Sequence, residues 1–170
     1  MKKIISPYVV GDITLRMLEE KDLPLTLSWR NDPKTRIWFK NSDEIKPESH
    51  KTWFDLYNKK QDDYVFIAES SDGPIGQLAV YQIANGSAEI GRFIASPEMK
   101  GKGVMKTCIE IFIEFIFDVF KLDEVVLEVY ENNERAVKLY MQIGFETVHI
   151  SNDLIHMRLV NVKRSKNMAS

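Results

Sequence analysis

The stretch Ser96-Pro97-Glu98-Met99-Lys100-Gly101-Lys102-Gly103-Val104-Met105, "SPEMKGKGVM", sets two glycines one residue apart, each beside a lysine. Upstream lies the strand-like "GRFIA"; downstream begins the apolar run "CIEIFIEFIFDVF" (Cys108–Phe120). Glycine lets a ligand approach backbone N–H groups closely because no Cβ intervenes. A loop that then opens a helix aims free N–H groups and the positive dipole end at a bound anion. Taken alone, the loop reads equally as a surface turn. It lacks the Gly-x-x-x-x-Gly-Lys-Ser/Thr spacing of a nucleotide-triphosphate loop and the third glycine of a dinucleotide fingerprint.

The apolar run is interrupted by Glu110, Glu114 and Asp118, which continue Lys106 as one polar stripe. It is shorter than the roughly 20 residues a membrane span requires, so it reads as an amphipathic helix against a core. The 170 residues fit one domain, and 44% hydrophobic with 28% charged residues describes an ordinary soluble protein. A formal charge of −2 gives no general attraction to nucleic acid or anionic membrane. Cys108 is the single cysteine, which excludes an intrachain disulfide, and three scattered histidines do not build a zinc site. No metal is expected, and the expected compartment is the cytoplasm.

Outward from the loop, alternation predicts strands at "ITLRMLE" (13–19), "YVFIAES" (64–70), "IGQLAVYQI" (75–83), "AEIGRFIA" (88–95) and "DEVVLEVY" (123–130), then a final hairpin from "FETVHI" and "LIHMRLV". Asp-Gly and Asn-Gly turns make the central strands an antiparallel meander. Helices are expected after Asp22 as their cap, from Pro47 to Tyr57, from near Val104, and from Asn133 to Gly144. "NDPKTRIWFKNSDEI" reads as a turn-rich connection. The order β-α-α-β-β-β-α-β-α-β-β gives a mixed α/β (α+β) domain over residues 1–162, followed by a polar, frayed tail over 163–170.

The loop gains meaning from "ENNERAVKLYMQIGF" some thirty residues on. With Glu98-Met99-Lys100-Gly101-Lys102-Gly103 standing as the Gln/Arg-x-x-Gly-x-Gly/Ala motif, and "NERAVKLY" followed by "GF", the chain resembles the GNAT superfamily of acetyl-CoA-dependent N-acetyltransferases over residues 8 to 160. Glu98 departs from the usual Gln or Arg, and Met105 from a small residue. The resemblance implies a mostly antiparallel sheet of six to seven strands flanked by about four helices, splayed between the fourth and fifth strands. Into that gap the pantetheine arm of acetyl-CoA would slot. Phe93, Ile94 and Ala95 would pair with the arm. Lys100, Gly101, Lys102, Gly103, Val104 and Met105 would cradle the pyrophosphate, and Lys106 would add charge beside it. Asn133, an N-cap in any reading, would also contact the cofactor.

Acyl transfer from a thioester to an amine needs a neutral amine, orientation, oxyanion stabilisation and a proton for the departing thiolate. The resemblance assigns that last proton to Tyr140. Glu89 is the expected base; strand alternation puts it on one face with Gly91, and Ile90 with Arg92 on the other. Glu128 is a weaker candidate, and His50, the one histidine of the N-terminal half, another. The acceptor region carries Trp29, Arg30, Asn31, Trp38, His50 and Trp53 as expected substrate contacts, although tryptophans on amphipathic elements also serve as core. Within the superfamily "WRN" and "SHKTWF" resemble the ribosomal-protein-alanine, spermidine and amino-sugar-nucleotide N-acetyltransferases. An amino sugar nucleotide is the preferred acceptor; a polyamine or a protein N-terminus is the alternative, and an acetyl-CoA-binding module without turnover is the reading from another class. The expected partner is a small amine, with no nucleic acid or membrane, and a homodimer is left open.

Overall fold

A computed structural model of the chain describes residues 2–164. Among them, one eight-stranded sheet runs in the order β1-β2-β3-β4-β5-β6-β8-β7. The strands are β1 (Tyr8–Val10), β2 (Ile13–Met17), β3 (Asp63–Ser70), β4 (Gly73–Ala84), β5 (Ser87–Ala95), β6 (Glu124–Tyr130), β7 (Glu146–Ser151) and β8 (Leu154–Val160). The helices are α1 (Leu23–Arg30), α2 (Pro33–Arg36), α3 (Pro47–Tyr57), α4 (Val104–Val119) and α5 (Glu134–Ile143). The expected mixed, mostly antiparallel architecture is therefore present, with one strand more than anticipated. The extra strand, β1, is three residues long and turns into β2 through Gly11 at φ 59°. Three residues are too few for an alternation pattern to stand out.

The sheet is covered on both faces, and β3 shows why. Tyr64, Phe66 and Ala68 join the cluster under α4, whereas Val65 and Ile67 face Leu23, Phe54 and Tyr57 of α1 and α3. A strand buried on both faces must be apolar at consecutive positions. From α4, Cys108, Ile109, Phe112, Ile113 and Ile116 go into the core, and Lys106 pairs with Glu110 at 3.3 Å on the outside. Burial pushes the Cys108 thiol up to about 11, which leaves it protonated and inert.

Two local expectations are corrected. Asp22 precedes α1 but makes no side-chain cap; Arg16 takes both its oxygens at 2.8 Å, and the Glu19 amide donates to it at 2.8 Å. The bidentate guanidinium fixes both carboxylate oxygens on β2 rather than at the start of α1. The connection after Asn31 contains a short helix, α2, capped by Asp32, whose side chain accepts from the Lys34 amide. Of the tail, Arg164 Nε binds Asp123 Oδ1 at 2.6 Å, which ties residues 163 and 164 to the domain; residues 165–170 lie outside the described residues.

What positions the site is the junction of β5 and β6. These strands run parallel and pair only at Ser87↔Glu124, Ala88↔Val125 and Glu89↔Val126. Beyond Glu89 they diverge, so the β6-facing edge of β5 from Ile90 to Ala95 has no strand partner. The splay falls at the expected place.

Candidate active site

A groove of about 650 Å³ opens along this splay. Glu89, Gly91, Arg92 and Phe93 of β5 form one wall, and Glu128, Val129 and Tyr130 of β6 the other. Tyr140 and Asn133 close one side, while Arg30, Trp38, Phe39 and Lys40 close another.

At the cofactor end, Gly101 (φ 79°) and Gly103 (φ 72°) hold left-handed conformations that L side chains avoid. A Cβ at either glycine would meet nothing within 4 Å, so these residues serve backbone conformation rather than close packing. Gly103 is the residue before α4 and supplies no side-chain cap, which leaves the first amides of that helix available. Val104 and Met105 begin α4, and Met105 packs against β4. A Cβ on Gly76 would sit 2.5 Å from the Ile94 carbonyl oxygen and 2.9 Å from Met105 Sδ, so a bare glycine in β4 lets both β5 and Met105 approach. Phe93 and Ala95 are half-buried, and Ile94 directs its side chain into the core. Lys102 is exposed. Lys100 donates to Thr35 Oγ1 at 2.9 Å and lies 3.4 Å from Asp32, so its charge is already engaged on α2. Glu98 is exposed in the turn before the glycines.

At the reacting end, Glu89 is half-buried and accepts a hydrogen bond from Tyr81 Oη at 3.1 Å. Burial raises its carboxyl above the ordinary value, reinforced by Glu128 and opposed by Tyr81, Lys40 and Arg92. Glu128 pairs with Lys40 Nζ at 2.7 Å, and His156 Nδ1 lies 3.7 Å away. Tyr140 lies between Phe93 and Phe145, with ring centroids 6.1 and 6.0 Å away, and burial holds its phenol well above its usual value. Asn133 accepts from the Ala136 amide at 3.4 Å, so it caps α5 while lining the groove.

Not every expected residue meets here. Trp29 is 4% exposed and belongs to the core. Asn31 clasps the backbone of Ile45, its amide donating at 2.8 Å and its oxygen accepting at 2.8 Å. His50 and Trp53 stack with ring centroids 5.3 Å apart on α3, away from the groove, and Trp53 stacks in turn on Tyr57. His50 Nε2 lies 3.4 Å from Thr26 Oγ1, and burial, with Arg30 nearby, lowers its pKa. Arg30 and Trp38 do line the groove.

Arg92 corrects the alternation argument. It lies on the same side as Glu89, not opposite, because β5 carries an extra residue against β4: Ala79 pairs with Gly91, whereas Gln77 pairs with Ile94. Arg92 itself takes φ 52° at this bulge. Tyr81 was missed for the complementary reason. Counting back from the Asn85-Gly86 turn puts Gln82 opposite Glu89, but Gln82 bulges at φ 53° and Tyr81 pairs with Glu89 instead.

The family model for an acetyltransferase (GNAT) domain matches residues 12–146. The chain belongs to the GNAT acetyltransferase family. Its activity is acetyl-CoA-dependent N-acetylation. A spermidine N(1)-acetyltransferase of Vibrio cholerae is 32% identical over 163 residues, covering 91% of each chain. The acetyltransferase PseH of Campylobacter jejuni is 25% identical over 142 residues, covering 84% of this chain and 88% of that protein. In structure, spermidine N-acetyltransferase from Vibrio cholerae in complex with CoA and spermine superposes with a TM-score of 0.82 at 23% identity, over 92% of this chain and 99% of that one. The chain spans 28% of the length of one further relative, an uncharacterized protein of Methanocaldococcus jannaschii. No helix among the described residues is long and apolar enough to cross a membrane.

The residues present suit acetyl-CoA: two left-handed glycines before an uncapped helix, then a β5 edge without a strand partner. When bound there, it supplies the activated acetyl group.

Proposed function

We propose that a single domain over residues 1–162 acetylates a primary amine of a small aliphatic polyamine, with Glu89 as base and Tyr140 as acid. The observation that carries the acceptor class is the pair of carboxylates, Glu89 and Glu128, on opposite walls of the splay. Each cation in the groove is engaged within the protein. Arg92 binds Asp63, Lys40 binds Glu128, and Arg30 donates to the carbonyls of Asn41 and Asp43 while lying 4.4 Å over the Phe39 ring. A diphosphate would need free cations, whereas an alkylammonium can take the place of the exposed Lys40 at Glu128.

In this reading Glu89 takes a proton from the incoming ammonium, and burial, which raises its pKa, makes it a stronger base than an ordinary carboxylate. Amides of Phe93, Ile94 and Ala95 hold the arm and orient the acyl carbonyl. Tyr140, kept protonated by burial, donates its Oη proton to the departing sulfur. The amides of Val104 and Met105, with Gly101, Lys102 and Gly103 shaping the turn, bind pyrophosphate; Lys102 adds charge, and Lys100 can do so only by leaving Thr35 and Asp32. Trp38 and Arg30 border the acceptor. Trp29, Asn31, His50 and Trp53 act behind that wall, holding α1 and α3 in place.

An amino sugar nucleotide is the second reading, favoured by the aromatic Trp38 and Phe39 beside Arg30. Thiol release from acetyl-CoA over a panel of spermidine, spermine and a uridine-diphosphate amino sugar separates the two. Turnover of the polyamines alone supports the first reading; turnover of the sugar nucleotide alone replaces it. An acetyl-CoA-dependent rise in Tm with no turnover of any amine would leave the binding-module reading. The proposed setting is the cytoplasm, and light scattering measures whether the chain forms a homodimer.

A further inference from the structure

Glu89 is held by a chain of contacts that ends far from the reaction, on the buried start of β3. Asp63 is 3% exposed, and its Oδ1 accepts from Arg92 Nη1 at 2.9 Å. The Arg92 guanidinium lies 4.1 Å over the Tyr81 ring. The Tyr81 hydroxyl donates to Glu89 Oε2. Three strands, β3, β4 and β5, therefore contribute one residue each to the support of Glu89.

The backbone is bent to make this arrangement. Arg92 occupies a left-handed conformation unusual for its type, at the bulge that turns its side chain toward Glu89. Gln82 bulges likewise on β4 and brings Tyr81 into register with Glu89. Between them Gly91 leaves room for the phenol, since a Cβ there would lie 2.4 Å from Tyr81 Oη. Asp63 is secured in turn, with Lys60 Nζ 4.0 Å from Oδ2 and the Lys2 ammonium donating to its carbonyl. Lys2 itself sits over the Tyr57 and Tyr64 rings at 4.1 and 4.4 Å. A buried aspartate with so many cationic neighbours serves a fixed geometry rather than solvation.

We propose that Asp63, Arg92, Tyr81 and Gly91 are positioning residues that form a seat for the Glu89 carboxylate and aim it into the splay. This rests on the reading of Glu89 as the base. A carboxylate on a strand would otherwise sample several rotamers. With Oε2 fixed by Tyr81, Oε1 is left for the acceptor amine. Arg92 restrains the Tyr81 ring by its face, and Asp63 restrains Arg92. The groups facing Glu89 are Tyr81 from β4, Glu128 from β6, Lys40 from the segment after α2, and Arg92 from β5 itself.

The hydroxyl of Tyr81 favours the ionised form of Glu89, so removing it favours the protonated form. Two measurements test the seat. The Glu89 carboxyl, labelled with carbon-13 and assigned by its loss in Glu89→Gln, is titrated by NMR in the free protein. The pH profile of kcat/KM is taken with acetyl-CoA and whichever amine of the panel turns over. In Tyr81→Phe, which keeps the ring under Arg92, the titration and the acid limb both move to higher pH. There kcat falls about tenfold, the worth of one hydrogen bond to a charged group. Asp63→Asn leaves the hydroxyl in place, frees Arg92 and lowers kcat with KM for acetyl-CoA unchanged. Melting curves show whether Asp63→Asn folds; if it does not, Tyr81→Phe carries the test alone. Glu89 titrating in Tyr81→Phe as in the unmodified protein would overturn the seat. Full activity of Glu89→Gln would overturn the base instead, and the NMR titration would still decide the seat.

Discussion

The two ends of the groove are built in opposite ways. At the proposed cofactor end, Ser96–Met105 offers backbone: two left-handed glycines, a helix start without a side-chain cap, and lysines that are exposed or engaged elsewhere. At the reacting end the backbone provides only bulges, and the proposed work falls to side chains: Asp63, Arg92, Tyr81 and Glu89, linked across β3, β4 and β5, and Glu128 of β6 paired with Lys40. Backbone recognition, as proposed there, tolerates side-chain change and would accommodate the departures of Glu98 and Met105 from the family pattern. A network of buried polar side chains does not tolerate it, because each partner removed leaves another unsatisfied.

That contrast can be broken by substitution, and the largest effect is expected at Glu89. Glu89→Gln should lower kcat by about 10²- to 10³-fold, the usual contribution of a general base, and abolish the acid limb of the pH profile. In the unmodified protein activity should rise with pH through that limb, which lies above the ordinary carboxylate range because burial raises the Glu89 pKa. Tyr140→Phe should follow, with kcat down about 10- to 100-fold and KM for acetyl-CoA little changed, since the ring and its packing against Phe93 and Phe145 remain. Steady-state kinetics with each substrate varied separates the two outcomes.

At the cofactor end the split reverses. Gly103→Ala places a Cβ in open space but at φ 72°, so its cost is conformational, about 1 kcal/mol, and KM for acetyl-CoA should rise about fivefold with kcat retained. Lys102→Ala is the smallest expected change, about twofold in the same KM, because an exposed lysine contributes little through solvent. A large loss in Lys102→Ala with a small one in Gly103→Ala would mean that side-chain charge, not backbone, holds the pyrophosphate.

The same division decides what could be read in advance. The loop, α4, Asn133 and the Tyr140 helix are local: a glycine's conformation, a cap and a 3.6-residue period are written in neighbouring positions. The β5–β6 splay was also within reach, through the resemblance carried by those local motifs. Tyr81 and Arg92 were not. Each depends on one extra residue in a strand, and a one-residue change of register moves a side chain to the other face of the sheet. No composition marks Gln82 or Arg92 as the bulged position. The tryptophans failed as guides for a related reason: Trp29 and Trp53 are as apolar as Trp38, and only packing determines which one faces the groove.

The sequence by itself determined most of the strand and helix order and the glycine turn ahead of α4, because these follow from short-range conformation and periodicity, while the acetyl-transfer class came from the resemblance that its two motifs carry. Only the tertiary structure decided how Glu89 is held, that the cations of the groove are engaged within the protein, and that Asp63, 26 residues before Glu89, belongs to the same network. Those are properties of contacts between distant strands, and such contacts depend on register, bulges and burial that no single segment encodes.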